Sequence, residues 1–275
     1  MASEQNGTRE HLQALLDIAV EAALAAGALI RERKTEDLGI TFKEEGKHNL
    51  VTVMDLASEA LIKKMIGERL EGARFLAEEG GGNHDLEPLT WVIDPIDGTV
   101  NYAHGIPLYC VSIAAVRNNE PVAGVVYGPE TNELFTATKG GGAFLNGVPL
   151  KASTNADLEK AILVTGFPYN VEENPFGCID SFADFLRMGI PVRRLGSAAL
   201  DLAYVAAGRF DGFWEVALHE WDVAAGALMV LEAGGRMGTY AVGKEDGPMV
   251  IDRMLASNGA LHDAIREVLQ RRAGG

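Results

Sequence analysis

The sequence has little cysteine: Cys110 and Cys178 are the two thiols in 275 residues. Neither belongs to a CxxC pair, and two cysteines are too few for the disulfide framework of a small secreted domain. The cysteine content therefore excludes a disulfide scaffold. It favours a reducing, cytoplasmic compartment.

Positive charge is also scarce, with 24 Lys and Arg against 39 Asp and Glu and a formal net charge of −15. Nucleic-acid binding proteins hold the phosphate backbone with clustered Lys and Arg. The charge balance therefore predicts no nucleic-acid partner. A small phosphate ligand would instead be held through a metal ion.

A long uninterrupted hydrophobic run is missing as well. The most apolar early segment, residues 12–30, contains Asp17 and Glu21, which lie one turn apart on one face of a predicted amphipathic helix. Upstream stand Glu4, Arg9 and Glu10 instead of a basic stretch that leads into an apolar core. We therefore expect neither a signal peptide nor a membrane span.

What is present is a hydrophobic content of 47%, enough for one large domain, residues 1–275. We divide it into an N-terminal lobe of about 1–150 and a C-terminal α/β lobe of about 151–275, in which strands and helices alternate. Periodicity predicts helices and strands, with a polar loop at 45–49. The helices are 11–33, 58–70, 176–187, 197–207, 222–233 and 259–271, and the strands 38–44, 74–77, 90–93, 110–117, 121–127, 133–138, 161–165, 192–195, 211–215 and 249–256.

The glycine-rich stretch 140–147 contains Gly140-Gly141-Gly142 and Asn146-Gly147. No GK[ST] and no helix follow it, so we interpret it as a hairpin rather than a nucleotide-binding loop. Arg193-Arg194 could contact a phosphate ligand or a partner subunit, and we interpret the pair instead as a charged strand edge.

Carboxylates follow hydrophobic segments at three places: FLAEEGG (75–81), WVIDPIDGT (91–99) and HEWDVAAGA (219–227). Carboxylates that converge repel one another unless a cation joins them. With oxygen donors alone, the cluster favours Mg²⁺, Mn²⁺ or Ca²⁺ over Zn²⁺ or copper. Because DPIDG lacks the spacing of a calcium-binding EF-hand loop, we expect Mg²⁺.

Pro95 separates Asp94 from Asp97 and forces an irregular backbone path, so the Ile96 carbonyl is a further candidate metal ligand. Gly98-Thr99 then begins a turned segment whose N–H groups suit an anion such as phosphate. Asp222 precedes a predicted helix and, taken alone, is equally compatible with a helix N-cap.

Taken together, these motifs resemble the inositol monophosphatase family of magnesium-dependent, lithium-sensitive phosphatases. WVIDPIDGTVNY matches the family signature D-P-[IL]-D-G-T, AEEGG its Glu-Glu element, and WDVAAGA its signature W-D-x-A-A-[GA]. LVTVMD (50–55) and GSAALDLAYVAAGRFDGFWE (196–215) match two further elements. The resemblance implies a layered αβαβα sandwich of mixed α+β and α/β character. It also implies a homodimer with its site between the lobes.

The resemblance further implies roles for individual residues. Glu78, Asp94 and the Ile96 carbonyl would bind one metal ion, and Asp94, Asp97 and Asp222 a second. Asp55 and Thr99 would orient the attacking water, with Glu79 near the water shell of the metal. The remaining implied contacts are the Gly98 and Thr99 N–H groups to phosphate, and Gly196, Ser197, Ala198 and Glu215 to the alcohol.

The implied reaction is in-line attack of water on a phosphate monoester, with Mg²⁺ as cofactor and no covalent intermediate. A phosphorylated polyol, myo-inositol 1-phosphate, is the expected substrate. Fructose 1,6-bisphosphate, histidinol phosphate and 3′-phosphoadenosine 5′-phosphate are the substrates of relatives and remain alternatives. A role of another class also remains open, because some bacterial relatives are partners of the transcription machinery.

Overall fold

A computed structural model describes residues 2–32, 40–42, 50–82 and 84–272. The predicted polar loop at 45–49 lies outside these residues, as does most of the strand predicted at 38–44.

The described part of the chain contains seven α-helices, fifteen short or long strands and three 3₁₀ turns. The helices are α1 Ala2–Glu32, α2 Val53–Arg69, α3 Thr99–Ala103, α4 Cys178–Arg187, α5 Ala198–Ala206, α6 Glu220–Glu232 and α7 His262–Gln270. The strands are β1 Thr41–Phe42, β2 Leu50–Val51, β3 Arg74–Ala77, β4 Gly81–Gly82, β5 Thr90–Asp97, β6 Cys110–Arg117, β7 Glu120–Gly128, β8 Glu133–Thr138, β9 Gly142–Leu145, β10 Val148–Pro149, β11 Leu163–Thr165, β12 Val192–Arg193, β13 Gly212–Glu215, β14 Arg236–Thr239 and β15 Met254–Ser257.

These elements form five layers. An eight-stranded sheet, ordered β10-β9-β8-β7-β6-β5-β3-β4, packs α1 and α2 on one face and α5 and α6 on the other. Helices α5 and α6 also contact the five-stranded sheet β12-β11-β13-β15-β14, while α4 and α7 pack outside it. Three buried hydrophobic clusters fill the spaces between the layers. The predicted αβαβα sandwich is confirmed.

Strand β6 shows why the central strands are apolar throughout. Val111 and Ile113 belong to the cluster beneath α1, whereas Ala114 and Val116 belong to the cluster beneath α5 and α6. Successive side chains of a strand point to opposite faces, and both faces of this sheet are covered by helices. Every position is therefore buried, and the sequence loses the alternation of a half-exposed strand.

Helix α1 is long and apolar enough, by length and composition, to cross a membrane, with a mean hydropathy of 1.7 in its most apolar window. In the folded chain its apolar face packs against other elements of the protein. Leu15, Ala22 and Ile30 are buried against α2 and the eight-stranded sheet. It is the outer core helix of the sandwich.

The hairpin interpretation of residues 140–147 is confirmed, and β6 and β7 form a second hairpin of the same kind. Asn118 and Asn119 join β6 to β7 with φ of 54° and 59°, and Asn146-Gly147 joins β9 to β10 with φ of 48° and 79°. Both central residues are left-handed, as a two-residue turn between twisted strands requires. The glycine-rich stretch is therefore a hairpin, and Glu232 of α6 accepts hydrogen bonds from two of its N–H groups.

The C-terminal part differs from the predicted simple alternation. β14 has no counterpart among the predicted strands, and the predicted strand 249–256 is the shorter β15. β15 runs antiparallel to both β13 and β14, so the sheet is mixed. Four residues that include Gly238 carry too little periodicity to indicate a strand.

The larger sheet lies within residues 74–149 and the smaller within 163–257. The division into lobes near residue 150 stays a prediction. The helices α5 and α6 join both sheets in one core.

Candidate active site

A cleft of about 940 Å³ opens where the two sheets and the start of α5 and α6 meet. Of the residues predicted for the site, only Asp55 is not on its wall. The cleft is lined by Glu78, Glu79, Asp94, Ile96, Asp97, Gly98, Thr99, Gly196, Ser197, Ala198, Glu215 and Asp222, among others.

The pairing of β3 with β5 brings the first two carboxylate motifs together. The strands are parallel neighbours, and Ala77 lies opposite Ile93. The Glu78 N–H then donates to the Ile93 carbonyl at 3.2 Å, so Glu78 stands beside Asp94. The strand predicted to stop at residue 93 in fact continues to Asp97, with a register shift between Asp94 and Asp97. Pro95 is tolerated because it falls in this irregularity.

Asp94 lies at the buried centre of the cluster, with 2% of its surface exposed. Its Oδ1 accepts a hydrogen bond from the Ile96 N–H at 3.0 Å. Burial, followed by the charges of Glu78, Asp97 and Asp222, raises the pKa of Asp94 well above its usual value. The repulsion shows that these carboxylates act on one another across the cleft floor.

Asp97 has a structural partner that the sequence did not reveal. Its Oδ2 accepts hydrogen bonds from Ser197 Oγ at 2.7 Å and from the Ala199 N–H at 2.6 Å. Asp97 is the last residue of β5 in the eight-stranded sheet, and its carboxylate therefore caps the N-terminus of α5. Burial raises the pKa of Asp97 to about 6, against the lowering effect of the Ser197 hydrogen bond.

Asp55 stands behind Thr99, outside the cleft wall. Thr99 Oγ1 lies 3.1 Å from Asp55 Oδ1 and 2.9 Å from the Ile96 carbonyl oxygen. Asp55 is the third residue of α2, and its Oδ2 accepts from both the N–H and the hydroxyl of Thr52, the N-cap. This capping box fixes the carboxylate. Burial raises its pKa to about 6.

Gly98 precedes α3 with φ of 96°. A Cβ at this position would lie 3.0 Å from the Leu108 carbonyl oxygen and 3.1 Å from that of Gly196. The left-handed conformation and the close backbone on two sides both require glycine.

Asp222 is the third residue of α6, and its Oδ2 accepts from the N–H of the N-cap His219 at 2.7 Å. The N-cap alternative for Asp222 itself is therefore wrong, because the helix begins two residues earlier than predicted. Burial, followed by the charge of Asp97, raises the pKa of Asp222 well above its usual value.

Glu215 ends β13 and lines the same cleft. Its carboxylate packs directly over Gly166, where a Cβ would lie 2.1 Å from Oε2. Burial, followed by the charge of Asp97, raises the pKa of Glu215 to about 8.

The donor chemistry of the cluster fits a hard divalent cation. Among the described residues, no three or more His, Cys, Asp or Glu side chains are positioned to hold a metal ion as they stand. Asp94, Asp97 and Asp222 nevertheless share one cleft, are mutually repulsive and supply oxygen donors alone. Added positive charge at this point would relieve that repulsion.

Sequence comparison agrees with this geometry. The model of the inositol monophosphatase family matches residues 11–273. The chain belongs to the inositol monophosphatase family.

Relatives of the family match over almost the whole chain. An inositol-1-monophosphatase of Synechocystis is 42% identical over 262 residues, 94% of this chain and 89% of that protein. The Nus factor SuhB of Escherichia coli is 40% identical over 94% of this chain and 99% of its own length. The solved structure of inositol monophosphatase from Anabaena has a TM-score of 0.82 at 41% identity and covers 95% of this chain and 97% of that one.

Membership in the inositol monophosphatase family makes this chain a phosphatase and confirms the resemblance seen in its motifs. The family is generally metal-dependent, in agreement with the oxygen-donor cluster. The individual roles assigned to the site residues stay predictions, because the comparisons name no residue.

Sequence reasoning missed two contributors to this inositol monophosphatase site. Glu59 of α2 accepts a hydrogen bond from the Glu79 N–H at 2.9 Å and pairs with Lys63 at 2.7 Å, which fixes the Glu78-Glu79 turn. Arg193 lies on the edge strand β12, as interpreted, but Arg194 lines the cleft, 5.6 Å from the Phe167 ring centre. Only the three-dimensional arrangement reveals either role.

Proposed function

We propose that this protein is a Mg²⁺-dependent phosphomonoesterase that hydrolyses myo-inositol monophosphate to myo-inositol and phosphate. The observation that carries the proposal is that one cleft brings together the carboxylate cluster of Glu78, Asp94, Asp97 and Asp222 and the separate carboxyl group of Glu215 at the end of β13. The first suits a cation and phosphate, and the second a hydroxyl-rich alcohol. The inositol-1-monophosphatase of Synechocystis supports the substrate.

Glu78, Asp94, Asp97, Asp222 and the Ile96 carbonyl would hold Mg²⁺. When bound, the ion would supply positive charge that stabilises the transferred phosphoryl group and lowers the pKa of a bound water toward about 7. The protein contributes rigidity, because Asp94, Asp97 and Asp222 are each fixed by a backbone N–H donor.

Thr99 and Asp55 orient the attacking water in this proposal. The Asp55 carboxylate accepts the Thr99 hydroxyl proton, so a lone pair of Thr99 Oγ1 faces the cleft and accepts a proton from water. Because Thr52 holds the other Asp55 oxygen, the pair keeps one geometry. Glu79 lies at the cleft wall beside this position.

The alcohol half of the substrate is placed against Glu215 and the 196–198 segment. The Glu215 carboxyl group can accept hydrogen bonds from the hydroxyls of such an alcohol. The predicted contacts through Gly196, Ser197 and Ala198 have a limit, because Asp97 already engages the Ser197 hydroxyl and the Ala198 N–H.

Phosphate release from a panel of esters tests the substrate. The purified protein with Mg²⁺ is compared on myo-inositol 1-phosphate, fructose 1,6-bisphosphate, histidinol phosphate and 3′-phosphoadenosine 5′-phosphate. We expect the highest kcat/KM for the inositol ester. A higher kcat/KM for another ester would support the phosphatase activity but show that myo-inositol 1-phosphate is not the preferred substrate.

The Escherichia coli relative named Nus factor SuhB favours a second candidate, a partner of the transcription machinery. An interaction role would not need the carboxylate cluster, so Asp94→Asn would still capture its partner in a pull-down with wild-type yield. Absence of any transcription component from the wild-type pull-down would eliminate this role.

We also propose that the protein is a cytoplasmic homodimer inhibited by Li⁺, as the family resemblance implies. The scarcity of cysteine supports the compartment. Light scattering of the purified protein tests the dimer, and a Li⁺ titration of the phosphatase assay tests the inhibition.

A further inference from the structure

The side chain of Asn101 joins two distant parts of the candidate active site. Asn101 lies in α3 and lines the cleft. Its Nδ2 donates hydrogen bonds to the Leu108 carbonyl at 2.6 Å and to the Leu195 carbonyl at 2.7 Å, the second of which is 94 residues away in the chain. A side-chain amide has two N–H groups, and both are used here. Leu195 begins residues 195–198, the alcohol-side segment, in which the proposed backbone contacts to the alcohol lie.

The backbone around this amide is closely packed. Gly196 has φ of 86°, and a Cβ there would lie 3.1 Å from Asn101 Nδ2. The Gly196 carbonyl oxygen in turn lies 3.1 Å from the position that a Cβ on Gly98 would take. Both positions combine a left-handed φ with a close neighbour, which requires glycine. The Asn101 amide therefore lies in a tight junction between α3 and the alcohol-side segment.

The phosphate side of this junction has supports of its own. The Thr99 hydroxyl donates to Asp55 Oδ1 at 3.1 Å, and the Tyr102 N–H donates to the Gly98 carbonyl at 3.0 Å. Neither hydrogen bond involves the Asn101 side chain. Loss of the Asn101 amide is therefore expected to release the alcohol-side segment while Gly98 and Thr99 keep their positions.

Asp97 makes the other link to the alcohol-side segment. Its Oδ2 accepts from Ser197 Oγ within the segment at 2.7 Å and from the Ala199 N–H just after it at 2.6 Å. In the proposed function Asp97 is also a ligand of Mg²⁺, so its carboxylate serves two purposes. Asn101 is uncharged and holds Leu195 through its amide nitrogen. Its hold on the segment is therefore separate from the metal ligands.

We propose that Asn101 is a positioning residue for the reaction. By holding the Leu195 carbonyl, its amide fixes the alcohol-side segment relative to Gly98 and Thr99, so that the phosphoryl and alcohol halves of the substrate are bound at one separation. The assignment rests on the proposed function. An ester whose alcohol makes no hydrogen bond to this segment gains little from the alignment.

Two esters and two variants test the assignment. The ratio of kcat/KM for myo-inositol 1-phosphate to that for phenyl phosphate, whose ring has no hydroxyls, is measured in wild type, Asn101→Ala and Asn101→Asp. We expect the ratio to fall about tenfold in Asn101→Ala, because the alcohol half is misplaced. Asn101→Asp keeps the shape of the side chain but has no N–H to donate, so the ratio should fall as far. Its added charge acts on both esters alike and cancels in the ratio.

Inorganic phosphate separates positioning from a general loss of the site. It has no alcohol half, so its inhibition constant should be the same in Asn101→Ala as in wild type. Asn258→Ala is the matched control, because Asn258 Nδ2 also donates twice, to Ser153 Oγ and the Asn155 carbonyl, both at 2.8 Å, and lies outside the cleft. Asn258→Ala should lower Tm and keep the wild-type ratio.

A wild-type ratio in both Asn101 variants would overturn the assignment. Equal losses on the two esters together with weaker inhibition by phosphate would also overturn it, because they indicate a structural role. So would a fall of the ratio in Asn258→Ala as large as that in Asn101→Ala. Wild type inactive on both esters would instead overturn the proposed function, and the assignment with it.

Discussion

At the residue scale, Thr99 has one hydroxyl proton and two acceptors within reach, Asp55 Oδ1 and the Ile96 carbonyl. Thr99→Val keeps the shape and removes the hydroxyl. We expect kcat to fall about 100-fold or more, since a positioned proton acceptor contributes about that much, with little change in KM. Steady-state phosphate release measures both constants.

Thr90, the first residue of β5, provides the control. Its hydroxyl is buried without a hydrogen-bond partner among the described residues. Thr90→Val should therefore be neutral or stabilising and leave kcat unchanged. Thr99→Ser should restore most of the activity. A Thr99→Val enzyme with wild-type kcat would exclude the water-orienting role.

His262 makes the free energy of unfolding depend on pH, which the sequence did not indicate. It is fully buried, and because the Arg266 guanidinium can only donate, Nε2 accepts from it and Nδ1 donates to Ser257. Burial, then the charges of Arg236 and Arg266, lowers its pKa to about 4, against the raising effect of Asp246 and Asp263.

The folded pKa lies below the unfolded one, so the unfolded state binds the proton first as pH falls. The contribution of His262 to the free energy of unfolding is fully present above about pH 6.5. About 2 kcal/mol of it is lost between pH 7 and pH 5. The raised pKa values of Asp55, Asp97 and Glu215 change stability in the opposite direction over the same range, so the His262 contribution is measured as a difference between proteins. In denaturant unfolding, the change in unfolding free energy from pH 7 to pH 5 should be about 2 kcal/mol more favourable in His262→Gln than in wild type, and the exposed His104→Gln should match wild type. The same change in His262→Gln as in wild type would contradict the prediction.

At the scale of elements, the crossing of α5 and α6 depends on Gly226. A Cβ there would lie 2.5 Å from Leu202 Cβ, too close without separating the helices. We expect Gly226→Ala to destabilise the protein by about 1–3 kcal/mol in urea unfolding. Gly67→Ala in α2, where a Cβ meets nothing within 4 Å, should instead stabilise by up to about 1 kcal/mol. Stabilisation by Gly226→Ala would show that the helices are not tightly packed.

The elements also show what local sequence predicts well. Helices α4 to α7 and the hairpins at Asn118-Asn119 and Asn146-Gly147 follow from periodicity and turn chemistry within about three residues, whereas α1 and α2 begin at Ala2 and Val53, well before their predicted starts at residues 11 and 58. The continuation of β5 through Pro95 and the existence of β14 depend on a partner strand far away in sequence. Local propensity carries no information about such partners.

At the scale of the whole molecule, local sequence likewise does not show how the distant segments of the site come together. The sequence alone indicates oxygen-donor metal chemistry, because the residues at 78, 94, 97 and 222 are all Asp or Glu. The capping of α5 by Asp97, the support of Glu79 by Glu59 and the hydrogen bond from Asn101 to Leu195 each join segments separated by at least 20 residues. They require the assembled fold.

Metal binding should stabilise the whole chain, because the cation relieves repulsion in the folded state and finds no such cluster in the unfolded one. At about 100 times its Kd, Mg²⁺ should add about 2.7 kcal/mol and raise Tm, and EDTA should reverse the shift. Asp94→Asn, which lacks the shared ligand, should show a much smaller Mg²⁺-dependent shift. A wild-type Tm that changes with neither Mg²⁺ nor EDTA would argue against a metal at this cluster.

The most direct test is phosphate release from myo-inositol 1-phosphate by the purified protein as a function of Mg²⁺, for wild type and Asp94→Asn side by side. Wild type should turn over only with Mg²⁺, and Asp94→Asn should be folded by circular dichroism yet inactive at every Mg²⁺ concentration. Equal turnover by the two proteins, or wild-type turnover that persists in EDTA, would contradict a metal-dependent phosphatase built on this carboxylate cluster.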